Sequence, residues 1–107
     1  MVRRIVWMNL AKQRLHEISD YLKKEAGARV AKKIRDGIYA RPEMLVDNPQ
    51  AGQCEESLAK YPHGFRYLVE GNYKIVYFVT DTEIVISTIF DCRRDPTALR
   101  ESVIKRD

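Results

Sequence analysis

The chain has 107 residues, with nineteen Lys and Arg against fifteen Asp and Glu, giving a formal charge of +4 and a pI near 9.2. A hydrophobic content of 45% excludes a disordered chain, and the length limits the protein to one modest core, expected to be a single domain over residues 1–107. Two cysteines exclude a disulfide framework and a four-cysteine metal site, and no stretch is long and apolar enough to span a bilayer. Cys54 and Cys92 are expected to be small buried thiols. The apolar run after Arg3-Arg4 is too short for the core of a secretion signal, so a cytoplasmic protein without membrane contact is expected. A basic surplus on so small a domain suits nucleic acid or an acidic partner, unless it only aids solubility.

Arg4 to Met8 is short, apolar and β-prone, and reads as a strand. Asn9 is placed to cap a helix. Ala11, Leu15, Ile18 and Leu22 then recur at helical spacing among charged residues, predicting an amphipathic helix of about four turns. Gly27 is a natural stop. A second helix begins near Ala28, with Val30, Ala31, Ile34 and Ile38 as its apolar stripe and Arg29, Lys32, Lys33 and Arg35 on its polar side. That polar side suits RNA or an acidic partner, or is simply a solvated face. Pro42 must kink or end this helix, because it lacks an N–H and clashes with the preceding turn. Met44 to Val46 adds one further turn.

Residues 47–61 read as a connector, with Asn48-Pro49 and Ala51-Gly52 as turn signals. From Phe65 onward the pattern is β. Phe65 to Glu70, Tyr73 to Val79 and Ile84 to Phe90 form an antiparallel meander, with turns at Gly71-Asn72 and Asp81-Thr82. The first turn sets Arg66 opposite Tyr77, on one face with Leu68 and Ile75. The opening strand needs a partner and joins the same sheet. Both faces carry apolar residues: one packs on the helices and the other needs separate cover. Asp95-Pro96 opens a short C-terminal tail helix. The fold expected is α+β.

Read in order, these features resemble RelE/ParE-type toxins over nearly the whole chain. The resemblance is carried by Trp7 ending the first strand, the Ala11/Leu15/Ile18/Tyr21 helix face, and the Asn48-Pro49…Gly52 turn. Phe65-Arg66, Tyr73-Lys74-Ile75-Val76-Tyr77 and the ending Phe90-Asp91-Cys92-Arg93-Arg94-Asp95-Pro96 complete it. It implies the toxin half of a type II toxin–antitoxin system of the plasmid-stabilisation kind, neutralised by a cognate antitoxin. RelE-like members cut messenger RNA at the ribosome without a metal. ParE-like members inhibit DNA gyrase and catalyse nothing known. A third alternative is a degenerate member that keeps only antitoxin binding.

Metal-free RNA cleavage needs a base for the 2′-hydroxyl, cations for the phosphorane charge and an acid for the leaving oxygen. Arg66 is the candidate cation: its strand fixes it, its planar fork suits phosphate, and it matches an active-site arginine of nuclease members. A structural pairing to a nearby carboxylate is its other reading. Glu56 resembles the acidic position of some nuclease members and is the candidate base. Arg93 follows the last strand, where such members place a cation. Arg94, Lys60 and His63 are the candidates for contact with nucleic acid or another target. His16, on the polar side of the first helix, receives no role. Nuclease members often carry His or Tyr after the last strand, where this chain has Asp91, Cys92 and Asp95. An Asp is a poor acid at neutral pH unless its pKa is strongly raised, which shifts the reading towards a ParE-like or divergent member. There is no P-loop, dinucleotide motif or zinc spacing, so no cofactor and no metal are expected.

Overall fold

The computed structural model describes residues 2–92. Seven regular elements follow in order: β1 (Arg4–Trp7), α1 (Asn9–Ala26), α2 (Ala28–Ala40), β2 (Gln53–Cys54), β3 (Arg66–Glu70), β4 (Tyr73–Val79) and β5 (Glu83–Asp91). Two 3-10 segments, Arg41–Val46 and Glu56–Leu58, sit in the connections. The expected tail helix, with Arg93 and Arg94, lies outside the described residues.

The five strands form one mixed sheet in the order β1-β5-β4-β3-β2. β1 runs parallel to β5, and every other pairing is antiparallel. The expected register is met, with Arg66 opposite Tyr77 and Leu68 opposite Ile75. A two-residue turn at Gly71-Asn72 permits little else, and Gly71 supplies the positive φ of 60°. The expected meander lacked one strand: β2, two residues in the connector, adds an outer edge beside β3.

Gly27 alone joins the helices. Its N–H donates to the Lys23 carbonyl at 3.2 Å and its own carbonyl accepts from Ala31 at 3.1 Å, so it ends α1 and begins α2. Its φ of 93° and ψ of 165° lie where only glycine sits without strain. At the other end of α1 the expected cap is displaced. Asn9 is already the first helical residue, and Met8 occupies the cap position without a side-chain capping bond. α2 ends at Ala40 and continues as 3-10 turns through Pro42, which is fully buried in their first turn.

The main core lies between the helices and one sheet face. It joins Ala11 and Ile38 to Leu45, Leu68, Tyr73, Ile75, Tyr77, Ile84, Ile86 and Ile89, with Ile5, Trp7, Leu15, Ile18 and Ile34 at its margins. Burying an aliphatic side chain of this kind stabilises by about 1.5–3 kcal/mol. The opposite face carries a second cluster of Leu58, Phe65, Val76 and Phe90, edged by Tyr61, Tyr67 and Phe78. The expected separate cover is thus supplied in part by the chain's own connector. Two other expectations fail on exposure. Val30 is 40% exposed on α2. Cys54 and Cys92 are exposed free thiols, one on the edge strand and the other just beyond the end of β5.

In β5, Ile84 and Ile86 face the helices, but further along it is Ile89 that does so. The pairing with β4 slips by one residue between Val76 and Tyr77, leaving Ser87 as the extra residue of a bulge. Ser87 is fully buried, and its hydroxyl has no hydrogen-bond partner among the described residues. Ser87→Ala removes a desolvated hydroxyl and should raise stability by about 1 kcal/mol. Paired urea titrations measure this, and a loss of stability in the variant would mean that the hydroxyl is satisfied.

Candidate functional site

Arg66 and Tyr77 act together on the helix-facing side of the sheet, at the β2 end. Arg66 Nη1 donates to the carbonyls of Gly52 at 2.8 Å and Gln50 at 3.3 Å. The Tyr77 hydroxyl donates to the Pro49 carbonyl at 2.9 Å and accepts from the Gly52 N–H at 2.9 Å. The turn at 49–52 is thereby tied to the middle of the sheet through four hydrogen bonds. Arg66 was a candidate for a phosphate or a carboxylate partner, but its partners here are backbone carbonyls.

Burial pushes the Tyr77 phenol above its usual range, against the smaller opposing effects of the Gly52 N–H and the Arg66 charge. The folded protein therefore holds this proton more tightly than the unfolded chain does. The resulting stability is fully present below about pH 10, the ordinary tyrosine value, and is lost as pH rises through the higher folded-state value. Tyr77→Phe should show a smaller loss of stability than wild type between about pH 8 and pH 11. Equal alkaline losses in denaturant titrations would reject this role for Tyr77.

On the other face lies a polar cluster that the sequence reading passed over. Glu55 is only 6% exposed. Its Oε1 accepts from Lys74 Nζ at 2.9 Å, and its Oε2 accepts from Ser57 Oγ at 2.9 Å and from the Ser57 N–H at 3.3 Å. Lys74 Nζ also lies 4.3 Å from the centre of the Tyr67 ring. The Tyr67 hydroxyl in turn donates to Gln53 Oε1 at 3.0 Å. Glu55 thus caps the Glu56–Leu58 segment and anchors the connector to β4. No pattern in the sequence marked it: only when β2 pairs with β3 does Glu55 meet Phe65 and its side chain turn inward.

Glu56, the expected base, is exposed at the start of that 3-10 segment. Lys60 is exposed, with its Nζ 5.6 Å from the Tyr61 ring centre. The His63 ring lies 5.1 Å from those of both Phe65 and Phe78. These three residues share the segment that covers the second cluster. Arg66 points from the other side of the sheet, so the structure does not bring it together with them. Arg93 and Arg94 lie outside the described residues. Among the described residues no group of three or more His, Cys, Asp or Glu side chains is placed to hold a metal.

The family model for the ParE toxin of type II toxin–antitoxin systems, parDE, matches residues 5–96. The chain belongs to the ParE toxin family. The matching solved structures include a chain of the chromosomal ParDE TA system from P. aeruginosa. It is 23% identical, with a TM-score of 0.68, over 84% of this chain and 96% of that one. At that identity the likeness is one of fold. No curated protein sequence matches the chain. No helix among the described residues is long and apolar enough to cross a membrane.

The helix side of this ParE-family chain carries one more feature. Trp7, at the end of β1, stacks on Tyr39 near the end of α2, with ring centres 5.4 Å apart and planes inclined by 19°. Together with Lys12, Leu15, His16 and Arg35 they line a groove of about 320 Å³. His16, given no role from sequence, is one of its walls and lies 3.2 Å from Asp20. On the polar side of α2, Asp36 takes both Lys32 at 2.7 Å and Arg35 at 3.2 Å. Hydrogen bonds from these two cations hold its carboxyl below the usual range.

Proposed function

We propose that this ParE-family toxin arrests growth by binding DNA gyrase, rather than by cutting messenger RNA, and that a cognate antitoxin neutralises it. In this reading residues 1–107 act as one toxin domain in the cytoplasm, with no cofactor and no metal. The observation that carries it is the commitment of Arg66. Metal-free cleavage needs a base and a fixed cation converging on one phosphate. Here Arg66 Nη1 is engaged by two backbone carbonyls, while Glu56, Lys60 and His63 belong to the segment on the opposite face. The ending Asp91-Cys92 supports the same choice, since it offers neither the His nor the Tyr of nuclease members. Gyrase enters through the family: ParE-like members of the superfamily are inhibitors of that enzyme.

The test adds the purified protein to gyrase, relaxed plasmid and ATP, and in parallel maps 5′ ends of messenger RNA in cells arrested by its expression. Supercoiling should fall as protein is added, and the messages should remain whole. Undiminished supercoiling at excess protein, with new cuts inside translated messages, would reverse the assignment and return Arg66 and Glu56 to candidacy as catalytic groups.

A further inference from the structure

We propose that the tip of the helical hairpin, around Gly27, holds the phosphate backbone of duplex DNA without reading its sequence. The site is distinct from the Trp7–Tyr39 groove, which lies at the other end of α1. Only the choice of DNA as the double helix rests on the gyrase reading.

Charge segregation is the first argument. Residues 21–35 contain Lys23, Lys24, Arg29, Lys32, Lys33 and Arg35 against the single carboxylate of Glu25. This stretch is therefore at +5, whereas the whole chain is at +4, so everything outside it is together at −1. The residues from Lys23 to Val30, with Lys32 and Lys33, are all exposed. A basic domain that gathers its whole surplus on one exposed end has the electrostatic footprint of a polyanion site.

The second argument is what these cations are free to do. Asp36 engages Lys32 and Arg35. Lys23, Lys24, Arg29 and Lys33 form no ion pair among the described residues. Lys23 and Lys24 partly offset the carbonyl end of α1. Arg29 and Lys33 lie one turn apart on α2, about 6 Å along its axis, on the side turned away from the buried Ala31 and Ile38. The same end of α2 has no side-chain cap and no acidic residue in its first turn, so its N–H groups add to the positive field. Single-strand sites join a basic groove to several aromatics, and this stretch has one, Tyr21. Protein interfaces depend on large apolar anchors seated in pockets, and the groove described above lies elsewhere. Cations fixed on two helices suit the regular, dense charge of a double helix, one phosphate per about 1.7 Å of axis. DNA is the double helix that the proposed target handles.

The experiment titrates the full chain into a short fluorescent DNA duplex of arbitrary sequence, with Kd read from anisotropy at several salt concentrations. With four cations on phosphates, affinity should fall about hundredfold between about 50 mM and about 200 mM salt. Arg29→Gln combined with Lys33→Gln should raise Kd about tenfold and lower the magnitude of the salt slope by about 2. Arg4→Gln combined with Arg14→Gln makes the same change of net charge at cations paired to Glu83 and Glu17, and should leave the slope unchanged. Circular dichroism checks that each variant is folded. Equal effects of the two double variants would mean that net charge alone attracts DNA, and would overturn the proposal. So would absence of duplex binding by the wild-type chain at about 50 mM salt, whatever the supercoiling assay shows. Duplex binding that depends on Arg29 and Lys33, with supercoiling undiminished, upholds the contact and removes gyrase alone. Tighter binding of a single strand, an RNA duplex, polyglutamate or phosphatidylglycerol vesicles than of duplex DNA assigns the tip to another occupant and overturns the proposal.

Discussion

Gly52→Ala should destabilise the protein by about 3 kcal/mol, at the upper end of what overpacking costs. A Cβ at this buried position would lie 2.6 Å from the Tyr77 hydroxyl, 2.7 Å from Tyr77 Cε1 and 2.7 Å from the Tyr67 carbonyl oxygen. The last is backbone in the middle of β3, held by pairing on both sides, and Tyr77 is fully buried. Neither neighbour can swing aside, so the turn at 49–52 must move. Movement stretches the Gly52 N–H bond to Tyr77 and the Arg66 bond to the Gly52 carbonyl, which are part of what holds the turn in place. At this chain length the loss should lower Tm by about 12–20 °C. Thermal melts followed at 222 nm test it, and a shift of under about 3 °C would show that the turn yields at little cost.

Lys74→Ala should cost a similar amount, about 3 kcal/mol, because it leaves the Glu55 carboxylate buried with only Ser57 beside it. The expected signature is non-additivity. Lys74→Ala combined with Glu55→Gln removes both charges and should recover most of the loss, so that the double-mutant cycle built from these two substitutions reports a coupling of about 2 kcal/mol. Additive effects in guanidinium titrations would mean that the pair, despite its 2.9 Å separation, is replaced by water when broken. Loss of this tie frees residues 53–58 from β4. The same variant should therefore disturb the segment bearing Glu56, Lys60 and His63 while the helix-side groove remains intact.

Much of the fold was legible because local chemistry left few choices. Gly71-Asn72 fixed the register of β3 and β4, and with it the pairing of Arg66 with Tyr77. Gly27 and Pro42 marked the helix ends for steric reasons that do not depend on context. What was missed depends on partners distant in sequence. β2 is too short to show alternation, and it is a strand only because β3 lies beside it. Without β2 nothing distinguished Glu55 from Glu56, and the exposed residue of the two was taken as the chemical one. Asn9 obeyed the statistics of helix caps, but the backbone hydrogen bond from Lys12 to Met8 starts the helix one residue early. The bulge at Ser87 was readable, since apolar residues at 84 and 86 give way to 89 where strict alternation calls for 88. At the candidate site, composition identified the cations but not their partners. Arg66 was expected to meet an anion, whereas the carbonyls of a sharp turn claimed it, and no pattern in the sequence specified that turn's path.

The parallel pairing of Arg4 with Glu83 through Trp7 with Ile86 has a consequence for the toxin's first moments. The first strand is made before the helices, yet its one partner among the described residues is β5, made after the other four strands. Contacts so remote along the chain slow folding, because the intervening loop must close before they form. The two helices can nucleate early on neighbouring residues, but the surface they cover stays incomplete until β5 has emerged from the ribosome. Until β5 is made the nascent chain thus keeps an apolar side of its helical pair unsealed, and the toxin's first strand waits for its place in the sheet.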